Sequence, residues 1–340
     1  MSSLSSVVKI FDMKLLIVLH HRFGLWNAPP WFVERLQRDF PDLEITHLSN
    51  YDRIEQEIAD AEVAIAWSLR PEQFKVAKKL RWIHSPAAAV HQLMFPELID
   101  SDIILTNARG VHGPVVAEHV IALIFALAKK IPYAVRLQEK HIWGQEAIWR
   151  AQPRPREVAG ATLGLVGVGS IGREVAKRAA ALAMRVIAAR ENPQKEKPDG
   201  VEQVYASADL DTLLQQSDYV VLAVPVTPST KHLINAQRLS KMKADACLIN
   251  VGRGPLIDET VLATALRDHQ IAGAALDVFE QEPLPADSPL WDLENLLITP
   301  HTAGLTEKLW ERHYQLFSEN VRRYLAHQPL LGMVDKNKGY

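Results

Sequence analysis

Four polar residues that could transfer a proton or bind an anion follow short apolar runs in the second half of the sequence. Arg253 stands in LINVGRG, and His301 stands in LLITPHTAG. Asp277 and Glu282 both stand in ALDVFEQEP. If these runs are strands of one parallel sheet, their carboxyl ends lie at the edge where open α/β sheets bind ligands. The sequence therefore predicts that the four side chains converge on one site.

These residue types suit the reduction of a 2-oxo acid, which needs a hydride at carbon, a proton at the carbonyl oxygen and a fixed carboxylate. His301 is the natural proton donor, and Glu282 beside it would favour the protonated ring. Arg253 offers a permanent planar cation to the carboxylate and carbonyl oxygen. Asp277 is expected to orient the carboxamide of a nicotinamide cofactor. Each residue alone could be structural, and their placement on successive strand ends favours a shared catalytic site.

A glycine-rich loop in TLGLVGVGSIGREVAKRAA predicts that this cofactor is a dinucleotide. Gly167, Gly169 and Gly172 follow the order GxGxxG after a predicted strand and at the start of a predicted helix. Such glycines permit a tight turn, a close approach of backbone to pyrophosphate, and close packing of helix on sheet. The amides at the helix N-terminus, including those of Ser170 and Ile171, are expected to face the phosphates.

The residue after the next predicted strand, RVIAA, indicates which dinucleotide is bound. NAD enzymes have an acid there that accepts hydrogen bonds from the ribose, but here Ala189 is followed by Arg190. A guanidinium suits a 2′-phosphate, which favours NADP(H) over NAD(H). In the alternative interpretation, Arg190 is a solvated loop residue and Glu191 takes the role of the acid one position later.

Short β-branched runs alternate with helical stretches along almost the whole chain of 340 residues. One series extends from LLIVL to DIILTN, and a second, containing the glycine loop, extends from TLGLVG to LLITP. The fold class predicted is α/β, with two Rossmann-like or flavodoxin-like domains that have parallel sheets and are joined near NARGVHGPVVAEH. The final helical stretch, EKLWERHYQLFSENVRRYLAHQ, has no strand of its own and must pack on a sheet already formed.

Composition excludes several classes of protein. Hydrophobic residues make up 48% and the net charge is −2, which is typical of a globular protein and offers nothing to nucleic acid or an anionic membrane. The single cysteine, Cys247, is expected in the core and fits a reducing compartment. The run LLIVL is too short to span a membrane and no cleavage site follows it, so we expect a cytoplasmic protein. The histidines at 20, 21, 112, 119 and 141 lack metal-ligand spacing, so we expect no metal.

Taken together, GVGSIG, NVGRGPLIDE, GAALDVFEQEP and TPHTAG closely resemble the motifs of the D-isomer-specific 2-hydroxyacid dehydrogenase family, in the family's order. The resemblance covers nearly the whole chain. It implies that Arg253 binds substrate, that Glu282 partners the histidine, and that His301 is the acid/base. It also implies a homodimer with the active site between a discontinuous substrate-binding domain, residues 1–110 and 305–340, and a dinucleotide-binding domain, residues 111–304.

Further cofactor contacts come from the same resemblance. VPVTPST is similar to the family's cofactor-side loop, which places Val224 and Pro225 near the nicotinamide ribose. Val251, Gly252 and Gly304, from the arginine and histidine motifs, are also expected at the cofactor.

The substrate loop departs from the family's pattern. HSPAAAVHQ has Ala88 and Ala89 where the family usually has a glycine pair, in a region whose backbone amides bind the substrate carboxylate. Backbone donation needs no particular side chain, so both alanines are expected at the substrate, in a pocket of altered width. Arg70 in AWSLRPE either meets the distal end of the substrate or is a solvated loop arginine. Trp143 and Trp149 lie where the family has its dimer arm, and packing at that interface is favoured over entry of Trp149 into the partner's pocket.

Within the family, a basic residue such as Arg190 is typical of NADPH-linked reductases of glyoxylate or hydroxypyruvate, and that is the expected function. One alternative is a D-3-phosphoglycerate dehydrogenase that lacks the regulatory domain. The end of the sequence at Tyr340 leaves no room for that domain, and such an enzyme usually uses NAD, so both points weaken this alternative. Another is a dinucleotide-sensing binding protein similar to a corepressor. Formate dehydrogenase pairs its histidine with an amide, and Glu282 argues against it.

Overall fold

The computed structural model describes residues 13–337 and 339. The chain divides into two compact units. The described residues up to Val111, together with those from Glu307 onward, form the first unit, and His112–Thr306 form the second. The predicted boundaries of the substrate-binding domain also include residues 1–12, 338 and 340, which lie outside the described residues.

Strands and helices alternate along both units. The strands are β1 (Lys14–Val18), β2 (Glu44–His47), β3 (Val63–Ala66), β4 (Trp82–Ser85), β5 (Ile104–Asn107), β6 (Thr162–Val166), β7 (Arg185–Arg190), β8 (Gln203–Ala206), β9 (Tyr219–Leu222), β10 (Cys247–Asn250), β11 (Gly273–Leu276) and β12 (Leu296–Ile298). The α-helices are α1 (Pro30–Asp39), α2 (Ile54–Glu57), α3 (Pro71–Val76), α4 (Pro96–Ile99), α5 (Gly113–Ala128), α6 (Ile131–Glu139), α7 (Gln145–Arg150), α8 (Ser170–Ala181), α9 (Leu210–Gln216), α10 (Ala236–Leu239), α11 (Glu259–Arg267) and α12 (Leu309–Leu325).

The first unit is built on a parallel sheet with the strand order β2-β1-β3-β4-β5. Helix α12 returns to this sheet late in the chain, because its apolar residues recur at helical spacing and need a surface to cover. Phe317 lies 5.5 Å from Trp82 and Tyr314 lies 5.7 Å from Phe32, measured between ring centroids. The expectation that the last helix packs on an existing sheet is confirmed.

The second unit is built on a parallel sheet with the order β12-β11-β10-β9-β6-β7-β8. Its central strands are continuous apolar runs, as expected for parallel strands covered on both faces, and Tyr219–Leu222 is buried throughout. Cys247 at the start of β10 is 6% exposed, as predicted for a core residue. The strand order reverses between β6 and β9, and the carboxyl ends of strands beside such a point are where α/β sheets bind ligands.

The predicted α/β class with two parallel sheets is confirmed, and each predicted run contains a strand, with its ends moved by a few residues. One prediction needs correction. Arg190 is the last residue of β7 rather than the first residue after it. Strand β8 was not expected, because QVYA is short, polar at its start and partly exposed at the sheet edge. Across the described residues, no helix has the length and apolar character needed to span a membrane.

Candidate active site

The glycine loop between β6 and α8 has the shape that a dinucleotide pyrophosphate requires. Gly167 has a φ of +98°, and a Cβ there would lie 2.7 Å from the Ala223 carbonyl oxygen. A Cβ on Gly172 would overlap the carbonyl oxygen of Gly167, so α8 can approach the loop only with glycine there. A Cβ on Gly169 would meet nothing within 4 Å, which leaves this stretch of backbone open to a ligand.

The N-terminus of α8 adds hydrogen-bond donors to the loop. The helix begins at Ser170, and no side chain of the described residues caps it. The first amides, those of Ser170, Ile171 and Gly172, therefore remain available to an anion, and the helix dipole favours negative charge there. These features fit a dinucleotide cofactor, whose pyrophosphate this loop and helix end would hold.

Arg190 ends β7 with its guanidinium folded over the following loop. Nη2 donates hydrogen bonds to the carbonyl oxygens of Lys195 and Glu196. Nε is buried and makes no hydrogen bond within the described residues. No carboxylate of the described residues forms an ion pair with Arg190, so its positive charge is available to a ligand. Glu191, the alternative acid, is exposed.

The loops after β9 and β10 lie beside the glycine loop. The side chain of Val224 lies directly against Gly167, and a Cβ on Gly252 would lie 2.9 Å from the Val224 carbonyl oxygen. Val251 is buried, and Pro225 is exposed. The residues predicted from the arginine motif and the cofactor-side loop are thus brought to the carboxyl ends of β6, β9 and β10.

His301 and Glu282 form a close pair in the second unit. His301 Nδ1 lies 2.6 Å from Glu282 Oε2, and Glu282 Oε1 accepts a hydrogen bond of 3.0 Å from the Phe279 amide. The hydrogen bond to Glu282 raises the pKa of His301 and outweighs the opposing effect of burial. Burial raises the pKa of Glu282, but the bonds from His301 and Phe279 outweigh it and leave that pKa below its ordinary value. With Nδ1 held, Nε2 is the ring nitrogen free to exchange a proton with a ligand.

Arg253 follows β10 and stands close enough to this pair to influence its charges. Its Nη1 donates a hydrogen bond of 2.7 Å to the Gly252 carbonyl oxygen, which uses one of five N–H donors. Burial lowers the pKa of Arg253, and the charge of Glu282 opposes that shift. The side chain remains a cation with donors to spare, which suits a carboxylate ligand.

Asp277 follows β11, and its buried carboxylate clamps the loop that carries His301. Oδ1 accepts hydrogen bonds from the Thr299 hydroxyl at 2.6 Å and the Thr302 amide at 2.8 Å. Oδ2 accepts one from the Ala303 amide at 3.0 Å. The backbone oxygen of Asp277 also accepts the His301 amide at 2.9 Å. Asp277 therefore fixes the loop on both sides of His301; its contact with the cofactor carboxamide stays a prediction.

Two residues of the clamp, His119 and Thr299, were missed by sequence reasoning. His119 on α5 has Nε2 3.1 Å from Thr299 Oγ1 and 3.7 Å from Asp277 Oδ1. The available signal was a histidine that interrupts the otherwise apolar helix VVAEHVIALIFALAKKI. Gly304, predicted at the cofactor, ends the same loop, where a Cβ would lie 3.2 Å from His112 Nδ1.

The substrate residues predicted outside these motifs belong to the first unit. Arg70 precedes α3 and is exposed, with Nε 3.4 Å from Glu72 Oε1. Ala88 and Ala89 follow β4, and the Ala88 carbonyl oxygen accepts a hydrogen bond of 2.7 Å from Asn107. Because β3 and β4 are parallel neighbours, Arg70 and the two alanines stand at the same edge of the first sheet.

Replacing Glu282 by glutamine is expected to move the pH dependence of 2-oxo acid reduction toward lower pH. In the 2-oxo acid reduction expected from the sequence, His301 donates a proton and must be protonated, so kcat/KM is expected to fall as the pH rises through the pKa of that ring. Glu282 is the main cause of the raised pKa. In the variant the fall therefore comes at lower pH, so the rate of reduction on the alkaline side of the profile drops relative to the rate of the reverse oxidation. A pH–rate profile unchanged from the wild type would contradict the pairing.

Three comparisons relate the chain to known proteins. A protein-family model, described as "D-isomer specific 2-hydroxyacid dehydrogenase, NAD binding domain", matches residues 121–303. Glyoxylate/hydroxypyruvate reductase B of Escherichia fergusonii is 33% identical over 336 residues, which cover 96% of this chain and 98% of that protein. The D-3-phosphoglycerate dehydrogenase of Methanocaldococcus jannaschii is 32% identical over 296 residues, 86% of this chain but 55% of that protein.

A solved structure shows the same fold. The NADPH-dependent glyoxylate/hydroxypyruvate reductase of Sinorhizobium meliloti, in complex with NADP and sulfate, has a TM-score of 0.80 and 28% identity. The match covers 97% of this chain and all of that one. The model match and the relatives agree with the geometry of the glycine loop and the His301–Glu282 pair, and the chain belongs to the D-isomer specific 2-hydroxyacid dehydrogenase family.

Proposed function

We propose that this protein is an NADP(H)-dependent reductase of small 2-oxo acids of the glyoxylate and hydroxypyruvate type. The observation that carries the proposal is the 2.6 Å pair of His301 Nδ1 and Glu282 Oε2, with Arg253 beside it and a dinucleotide loop in the same unit. A raised histidine pKa, a shielded cation and a cofactor cradle are the parts that carbonyl reduction needs.

In the proposed mechanism, Arg253 binds the carboxylate of the 2-oxo acid and polarises its carbonyl oxygen. NADPH, held by the glycine loop and the N-terminus of α8, would supply the hydride for the carbonyl carbon. His301 donates its Nε2 proton to the carbonyl oxygen, which completes the 2-hydroxy acid, and the ring then regains a proton from solvent. Glu282 holds the ring by Nδ1 and stabilises its protonated form before the transfer.

The preference for NADP(H) is supported by the environment of Arg190. Its partners are neutral carbonyl oxygens, so no carboxylate of the described residues neutralises the guanidinium, and the buried Nε makes no hydrogen bond within those residues. An unneutralised arginine at the end of this strand suits a 2′-phosphate, whereas NAD enzymes have an acid there. The similar reductase of S. meliloti has NADP bound, which supports the same preference.

Replacing Arg190 by alanine is expected to weaken NADPH binding by roughly ten- to a hundredfold, the usual effect of losing hydrogen bonds to a charged group. NADH binding should change little, so the ratio of the two dissociation constants, measured by nicotinamide fluorescence, isolates the phosphate. Arg185→Ala, at the other end of β7 and paired with Glu202, is the matched control and should leave the ratio unchanged. An unchanged ratio in Arg190→Ala would show that Arg190 only holds the loop after β7 and does not bind the phosphate.

The function itself is tested by initial rates with NADPH and NADH across glyoxylate, hydroxypyruvate, pyruvate, 3-phosphohydroxypyruvate and a bulky aromatic 2-oxo acid. We expect NADPH with glyoxylate or hydroxypyruvate to give the highest kcat/KM. A preference for NADH with the phosphorylated acid would instead identify a phosphoglycerate dehydrogenase, in line with the M. jannaschii relative. Tight dinucleotide binding without turnover would favour a sensing protein.

We also propose that the protein is a homodimer, formed through the segment from α6 to α7. This segment exposes large apolar side chains, whose burial in an interface would be favourable. The exposed fractions reach 92% for Trp143 and 54% for Trp149, and Ile131, Val135 and Ile142 are also exposed. Light scattering of the purified protein should give twice the mass of one chain, and the mass of a single chain would contradict the proposal.

A further inference from the structure

His119 contacts the hydrogen-bonded residues around Asp277, and the proposed mechanism gives His119 no role. The Asp277 carboxylate accepts three hydrogen bonds from the loop after β12. His119 on α5, which is 180 residues from Thr299 in the sequence, contacts the same group of residues. His119 is partly buried at this point, with 21% of its side chain exposed. A histidine that only filled space would not need to meet the Thr299 hydroxyl at 3.1 Å.

The direction of the hydrogen bonds follows from the groups involved. The Asp277 carboxylate can only accept, so the Thr299 hydroxyl must donate to Oδ1. The Thr299 oxygen is then free to accept, and His119 Nε2 must carry the hydrogen that it receives. The result is a chain in which His119 donates to Thr299 and Thr299 donates to Asp277. Burial lowers the pKa of His119 while Asp277 opposes the shift, and the neutral ring with hydrogen on Nε2 already makes this bond.

The backbone conformation of His301 depends on the hydrogen bonds that link His119, Thr299 and Asp277. His301 has a φ of +54°, which lies in the left-handed region that residues other than glycine adopt uncommonly. The holding contacts are the bonds of Asp277 to Thr299 and Thr302, on either side of His301, and to the His301 amide. A change in the Thr299 side chain would therefore move the His301 ring against Glu282.

We propose that His119 is a positioning residue of this active site, which fixes the Thr299 hydroxyl, and through Thr299 and Asp277 keeps the His301 ring on Glu282. The inference rests on the proposed function, in which His301 is the proton donor. It assigns no contact between His119 and substrate. The charged group facing His119 is Asp277, and those facing His301 are Glu282, Asp277 and Arg253.

The test compares His119→Leu with His119→Gln. Leucine removes the donor, whereas the glutamine amide can donate to Thr299 in its place. We expect His119→Leu to lower kcat about tenfold, with a smaller change in KM for the 2-oxo acid. The pH–rate profile should also shift toward lower pH, because a loosened Glu282 bond no longer raises the pKa of His301. His119→Gln should restore both kcat and the profile.

An NMR titration of the His301 ring reads the same pKa without turnover, with His301→Asn used to assign its signal. A lower His301 pKa in His119→Leu, restored in His119→Gln, supports the proposal even if the wild type reduces none of the acids tried, a result that would defeat the proposed function alone. Loss of thermal stability with an unchanged His301 pKa would overturn the positioning role. If His119→Leu does not fold, Thr299→Val against Thr299→Ser makes the same comparison.

Discussion

Replacing His301 by asparagine is expected to lower kcat for 2-oxo acid reduction by about 10²- to 10⁴-fold, the usual contribution of a general acid. Asparagine tolerates the left-handed backbone that His301 adopts, with a φ of +54°, better than most residues, so the loop should keep its shape. The amide cannot transfer a proton at neutral pH. The loss should therefore appear in kcat, and in a pH–rate profile that no longer shows the titration of a histidine.

Cofactor binding provides the control for this variant. The glycine loop and Arg190 lie on other strands, so the dissociation constant for NADPH should stay within about twofold of the wild type. His327→Asn is a matched substitution, because His327 also has a positive φ, of 52°, and lies outside the site. A His301→Asn enzyme that retains wild-type turnover would remove His301 from the mechanism.

Replacing Arg253 by glutamine is expected to lower kcat/KM for the 2-oxo acid on the order of 10²- to 10³-fold, because the substrate carboxylate loses the cation that binds it in the proposed mechanism. KM should rise, since the carboxylate is bound before reduction. The kcat should fall as well, since in the proposed mechanism Arg253 also polarises the carbonyl oxygen. Steady-state kinetics over a wide range of acid concentration separates the two effects.

Arg267→Gln is the control, because Arg267 is an exposed arginine in the last turn of the neighbouring helix α11. It should leave both constants unchanged. If Arg253→Gln raised KM no more than Arg267→Gln does, the substrate carboxylate would have to be bound elsewhere, and the backbone amides near Ala88 and Ala89 would be the next residues to test.

The sequence predicted those parts of the fold and site that depend on local patterns. Apolar runs marked most strands, and GxGxxG marked the loop in which Gly167 and Gly172 leave no room for a Cβ. The pairing of His301 with Glu282 was also accessible, because both residues follow neighbouring strands of a parallel sheet. Parallel order brings such ends together whatever the intervening chain does.

Other features depend on contacts between residues that are far apart in the sequence, and no local pattern predicts them. Asp277 bonds to Thr299 and Thr302, but in the sequence these are unrelated polar residues in two loops. His119 reads as an interruption in a core helix, because its partner lies 180 residues away. Strand β8 has one neighbouring strand and weak alternation, so its pairing with β7 stabilises it more than its own composition does.

The late return of α12 has a consequence for the way the chain is made. The face of the first sheet that Phe32 and Trp82 occupy receives Tyr314 and Phe317 only after the whole of His112–Thr306 has left the ribosome. The second unit is continuous and can complete its fold during that interval, because domains fold as units during synthesis. A nascent chain at this stage would carry a finished dinucleotide unit and a first sheet with one apolar face only partly covered, which is the kind of surface that chaperones protect.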